Sequence, residues 1–257
     1  MAEVLAEVRE KVKEREWPTI VLRPPIYYPE SDGKPMAETD AHYRQMTDLR
    51  FALEAHFHDA PDVYVGANML LYYVEGDPHQ VVAPDVFVVR GVPKGDRRIY
   101  KVWEEGKAPD VVFELTSAST RMADLGPKKG TYEVLGVQEY FLFDPLKEYL
   151  EPPLQGYRLE KRGYRWMEGT PLTSEVLGLE LRVEEGWLRL YERESGQRLP
   201  TPAEVAEARR QAEARAEQEA EARRQAEARA QATEDELARL QAELARLRGP
   251  GEPGHGR

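Results

Sequence analysis

The sequence predicts a mixed α/β fold: a mixed sheet flanked by helices, antiparallel hairpins added after it, and a C-terminal helical tail. Three observations predict it. Short β-branched runs at 86–89 and 111–115 each follow a Pro-Asp pair and read as strands. An amphipathic helical stripe precedes them and a helix beginning at a proline follows them, the alternation from which layered α/β domains are built. From residue 203 the composition narrows to Ala, Glu, Arg, Gln and Leu, which favours helix throughout. The expected division is 1–200 for the α/β domain, 201–248 for a helical coiled-coil tail, and 249–257 (GPGEPGHGR) for a disordered end.

Taken in order, Val4, Leu5, Val8 and Val12 recur at helical spacing until Pro18, and a Pro-rich passage at 24–35 breaks regular structure. A helix is expected from Asp40, with Met46, Leu49, Leu53 and Phe57 as its buried stripe and the acid or hydroxyl before it as the cap. Residues 63–73 read as one strand interrupted by Asn68, and Asp77-Pro78-His79 as a turn. The strands at 86–89 and 111–115 follow, then a helix from Pro127 closed by Gly136, then a strand at 138–143. Two hairpins come next, 157–161 with 164–167 and 179–183 with 187–191, to extend or cover the sheet; Tyr164, Trp166 and Trp187 read as core aromatics. In the tail, EARRQAEARA begins at Glu207 and again at Glu221, and Leu237, Leu240, Leu244 and Leu247 form an a/d seam, for a dimerising or partner-binding coiled coil or for a flexible helical appendage. Stepped backward, the same register meets Arg223 and Arg209.

Composition excludes several chemistries. The chain has no cysteine, so disulfides, thiol nucleophiles and zinc ribbons are ruled out. A net charge of −11 argues against a broad basic surface that clamps nucleic acid, although Arg90, Lys94, Arg97, Arg98, Lys101 and Lys107 make a local basic cluster suited to phosphates or to solvent. Residues 1–17 lack the apolar core of a signal peptide and no run is long enough to span a bilayer, so a cytoplasmic protein without a membrane partner is expected.

The chemistry is carried by acids placed inside apolar strands. If 86–89 and 111–115 pair antiparallel, Asp85 lies near Glu114 and Asp110 near Arg90, and alternation puts Asp85 and Glu114 on one face. Two carboxylates that close need a cation or a proton between them, and an oxygen-preferring Mg²⁺ or Mn²⁺ suits them. Lys128, in the first turn of the following helix where the dipole disfavours it, is the nearby ammonium, with Tyr132 one turn later on the same side. Asp124, within TSASTRMADLG, reads as a helix cap.

PDVFVV, APDVVFELTSAST, DLGPKK, Tyr132 and GVQEYFLFDP, in that order, resemble the Uma2 family, a branch of the PD-(D/E)XK nuclease superfamily, over residues 27–199. The resemblance implies a restriction-endonuclease-like core and a metal-dependent endonuclease acting on nucleic acid, DNA in the first instance; a homodimer is expected. It assigns metal binding to Asp85 and Glu114 and activation or charge stabilisation to Lys128, with Lys129 as the competitor. The departure is Thr116, where the superfamily pattern has its lysine. Relatives of this fold lend a further acid from their first helix; Glu38 is the candidate here and Glu54 the other. His42 and His56 read as structural or substrate-contacting rather than as ligands beside such hard donors. The alternative reading is a catalytically weak nuclease fold serving as an interaction and assembly module.

Overall fold

A computed structural model describes residues 26–31, 33 and 39–247. The helix expected near residues 4–12, Glu38 and the end at 249–257 lie outside the described residues.

In chain order the elements are α1 (Asp40–His56), β1 (Val63–Ala67), β2 (Leu71–Tyr72), β3 (Val81–Val82), β4 (Val86–Arg90), β5 (Tyr100–Lys101), α2 (Val102–Glu105) and β6 (Val111–Leu115). There follow α3 (Arg121–Leu125), α4 (Pro127–Leu135), β7 (Glu139–Phe143), β8 (Leu154–Glu160), β9 (Gly163–Trp166), β10 (Leu172–Ser174), β11 (Leu179–Glu184), β12 (Trp187–Glu192) and α5 (Pro202–Leu247). The central sheet has the order β1-β4-β6-β7-β8-β9. Its β6–β7 pair is parallel and its other pairs antiparallel, so the sheet is mixed, as expected.

Strand alternation sends the two halves of each apolar run into different cores. Val86, Val88, Val111, Phe113 and Leu115 face α1 and the small sheet β10-β11-β12. Phe87, Val89, Val112 and Leu142 face the other way, onto Tyr132 of α4 and Tyr100 of β5. Because both faces are covered, β4, β6 and β7 read as continuous hydrophobic runs rather than as alternating ones. The first hairpin extends the central sheet as β8–β9, and the second, β11–β12, lies in the sheet on its α1 side.

Helix α1 is capped by the Thr39 hydroxyl, which accepts from His42 N at 3.2 Å, and buries Met46, Leu49 and Leu53. The Gln45 amide locks it to β12, donating to the Leu188 carbonyl at 3.1 Å and accepting from Leu188 N at 2.8 Å. A buried amide that satisfies a strand edge on both sides fixes the height of α1 against the sheet, and the same turn of the helix carries His42.

One expected element divides. The strand predicted over 63–73 is β1 and β2, in different sheets, because Asn68 adopts a left-handed conformation with φ of 46°. Asparagine tolerates that region where a β-branched residue does not. Its backbone N–H points to the Pro84 and Asp85 carbonyls at 3.2 and 3.0 Å, so the bend also pins the entry to β4. Among the described residues no helix is long and apolar enough to cross a membrane.

The closest approach in this core is at Gly66, where a Cβ would stand 2.3 Å from the Phe87 ring. Gly66→Ala should destabilise the fold by about 1–3 kcal/mol through overpacking, seen as a lower urea midpoint with unchanged slope.

Candidate active site

The β4–β6 register decides which acids meet. Val86 lies opposite Phe113 and Phe87 opposite Val112. Continued by one residue, this register sets Asp85 across from Glu114, whose carboxylate lies on the Tyr132 side of the sheet. The opposite end behaves as the pairing predicts: the Asp110 carboxylate accepts from Arg90 N at 2.7 Å. The two Pro-Asp pairs therefore have different fates. Asp110 is saturated by Arg90 N, by the Gln138 amide at 2.8 Å and by the Lys107 ammonium at 2.8 Å, and it anchors the start of β6.

Asp85 is held from two sides. One oxygen lies 3.1 Å from His42 Nε2 and the other accepts from Leu115 N at 2.6 Å. His42 is thus a side chain that orients an acid. His56 packs against the Phe57 ring, and Glu54 pairs with Arg50 at 2.9 Å on the exposed side of α1.

Glu114 is buried in the middle of the sheet, with only 1% of its surface exposed. Its oxygens accept from Lys128 Nζ at 2.9 Å and from the Tyr132 hydroxyl at 2.7 Å. Burial pushes this carboxyl up to about 8; Lys128 opposes the rise, while Asp85 and Asp124 add to it. Burial and the adjacent Glu114 together hold the Tyr132 phenol far above its ordinary value, so it remains a donor. For Lys128, burial acts to discharge the ammonium, but Glu114, Asp124 and Asp85 outweigh it and hold the group above the usual lysine range.

Lys128 and Lys129 are separated by where they point. Lys129 Nζ sits 3.5 Å from the centre of the Tyr157 ring, and burial lowers its basicity. It makes a cation–π contact away from the acids. Lys128 Nζ reaches Glu114 at 2.9 Å, while Thr116, two residues after Glu114, leaves a buried hydroxyl with no hydrogen-bond partner.

Asp124 departs from its expected role. It lies inside α3, fully buried, and α4 begins after Gly126 without a side-chain cap. Its carboxylate meets Lys128 Nζ at 3.0 Å, one helical turn away in spacing, although Gly126 divides the two helices. Burial raises its pKa, with Lys128 in opposition. The i,i+4 spacing of Asp124 and Lys128 was the available signal, hidden by the Gly-Pro break between them.

The basic connection between β4 and β6 is consumed internally. Arg97 forks onto Glu105 at 2.6 and 2.9 Å, Lys101 pairs with Glu104 at 2.9 Å and Arg98 with Glu30. Lys94 caps α1 through the Phe57 and His58 carbonyls at 2.6 and 2.7 Å, Arg90 reaches the Val176 carbonyl at 2.7 Å, and Lys107 holds the Arg90 carbonyl at 2.8 Å. These side chains organise the loop because it carries matching acids of its own.

The model of the family described as "Uma2: Putative restriction endonuclease" matches residues 17–213. The chain belongs to this Uma2 family. Among solved structures it is similar to a crystal structure from Anabaena variabilis described as a "putative nuclease belonging to DUF820", at 16% identity and a TM-score of 0.43, over 56% of this chain and 76% of that one. No curated protein matches it.

The donors of this Uma2 chain suit a hard cation. Asp85 and Glu114 are carboxylates on neighbouring strands, near enough for the Asp85 charge to act on Glu114, and Mg²⁺ is commonly held by one or two carboxylates with water completing its shell. Among the described residues no group of three His, Cys, Asp or Glu forms a ready cage.

In metal-free protein the Glu114 carboxyl should titrate near 8 by carbon-13 NMR, and Lys128→Met should move it higher. Its folded value lies above the ordinary 4.5, so the stability it contributes is complete below about 4.5 and is lost as pH rises through about 8. Denaturant melts across that window should show the wild type losing stability relative to Glu114→Gln as pH increases.

Proposed function

We propose that this chain is a metal-dependent endonuclease that hydrolyses nucleic-acid phosphodiester bonds, with DNA as the first substrate to test. The observation that supports the reading is the bond from Lys128 to the buried Glu114, with Asp85 close enough for its charge to raise the pKa of both. Asp85 and Glu114 would hold Mg²⁺ or Mn²⁺, which supplies Lewis-acid polarisation of the phosphate and a more acidic water.

The chain's own residues do the rest. His42 and Leu115 N fix the Asp85 carboxylate so that it does not rotate away from Glu114. Tyr132 keeps one Glu114 oxygen in place as Lys128 exchanges its partner, and the Lys128 ammonium steadies the negative charge that grows on the phosphate in the transition state. Asp124 retains that ammonium near the site when it leaves Glu114. Glu38 is proposed as a third acid: in sequence it stands next to the cap residue Thr39 and four before His42, which touches Asp85.

A second reading, a nuclease fold acting as an interaction module, is favoured by one observation: Lys128 and Tyr132 already satisfy both Glu114 oxygens.

The deciding experiment incubates plasmid, single-stranded DNA and RNA with the protein in Mg²⁺, Mn²⁺ or EDTA. The endonuclease reading expects cleavage with metal and none with EDTA. Asp85→Ala should lose both cleavage and divalent binding by calorimetry, Lys128→Met should lose roughly 10²–10³-fold in rate, and Glu38→Gln should weaken metal binding. A folded wild type that cleaves none of these substrates with either metal establishes the module reading instead.

A further inference from the structure

The tail carries an apolar seam whose leucines stand open to solvent. Helix α5 runs unbroken for 46 residues and opens with a reciprocal cap, Thr201 N donating to Glu204 at 2.9 Å and Glu204 N to the Thr201 hydroxyl at 3.4 Å. Its first half supports itself along its own surface: Arg209 pairs with Glu213 at 2.7 Å, Arg223 with Glu227 at 2.8 Å and Arg224 with Glu221 at 3.0 Å. The last part differs. Leu237, Leu240, Leu244 and Leu247 repeat at three-four-three spacing and are 53, 52, 54 and 78% exposed. The same seam continues backward through Thr233, Ala230 and Ala226, all small, and then meets Arg223 and Glu219, followed by Ala216, Ala212 and Arg209.

We infer that a second copy of this chain covers the seam, parallel and in register over 226–247, while 202–225 stays a single-stranded strut of about 36 Å. Charge chooses this arrangement over the others. In a parallel pair each seam residue meets its own copy, so leucine packs on leucine from 237 to 247, and Arg229 of one helix flanks Glu234 of the other. Upstream the same rule sets Arg223 on Arg223, Glu219 on Glu219 and Arg209 on Arg209, which ends the pairing.

The antiparallel register that would neutralise Glu219 with Arg223 fails on its flanks. It places Arg215 beside Arg229 and Glu213 beside Glu227, and it carries Leu240, Leu244 and Leu247 beyond the partner's seam. An antiparallel overlap of the leucines alone spans 237–247, fewer than two heptads. The parallel form therefore puts both α/β domains at the same end of the assembly, each on its own strut.

The full chain should run in light-scattering chromatography at twice its monomer mass. Leu240→Glu combined with Leu244→Glu should return it to monomer, with the thermal transition of the α/β domain unmoved. Because the chain has no cysteine, Ala226→Cys reports orientation directly: mild oxidation should join the two copies, whereas Ala212→Cys, in the strut, should stay largely unjoined. A monomeric wild type, a trimer, a dimer indifferent to the leucine changes, a partner-bound chain of single copy, or equal crosslinking at 212 and 226 would each overturn the inference. Cleavage enters none of these readouts, so this result and that of the nuclease assay stand apart.

Discussion

A carboxylate in the centre of a covered sheet is the constraint on which this structure depends. Glu114 sits where an unpaired charge would cost several kcal/mol even after relaxation. The fold answers with an ammonium and a phenol delivered from one helix, Lys128 and Tyr132, spaced by a single turn. That answer fixes how α4 must lie against β6. It also explains why α4 tolerates a lysine in its first turn, against the helix dipole, since the attraction of Glu114 and Asp124 outweighs that of a solvated surface site.

The buried acids of this molecule fall into two kinds. Asp144 accepts three backbone N–H bonds, from Leu146, Tyr149 and Leu150, and Glu139 is held by Arg158, Ser174 and Glu175 N. Asp110 is likewise enclosed by donors. Those acids build turns and strand ends. Glu114 and Asp124 share a single ammonium, and burial drives both upward in pKa. Two buried acids sharing one base is the electrostatic feature that sets this corner apart from the others and supports the reading proposed for it.

Much of this arrangement was legible in the residues. The Pro-Asp entries, the β-branched runs and their period of two were enough to give the antiparallel pairing of β4 with β6 and to set Asp110 beside Arg90. The stripe of α1, both late hairpins and the closure of α4 at Gly136 followed equally local rules. What escaped depends on contacts distant in sequence or on one backbone angle. Nothing local says that Asn68 turns left-handed and splits a strand, that Gln45 reaches Leu188, or that Asp124 points inward rather than capping a helix. That Lys128 reaches Glu114 while Lys129 turns to the Tyr157 ring on β8 was likewise beyond local reading.

The internal pairing of the basic loop has a consequence for how a polyanion would approach. With a net charge of −11 and the basic β4–β6 connection tied to Glu104, Glu105, Asp110, Glu30 and backbone carbonyls, the molecule presents a net negative charge to an approaching polyanion. Association with such a ligand releases few counterions, so its dependence on ionic strength is shallow where that of a basic DNA-binding surface is steep. Added salt shortens the reach of a net repulsion rather than of an attraction, so encounter with a polyanion would quicken instead of slowing.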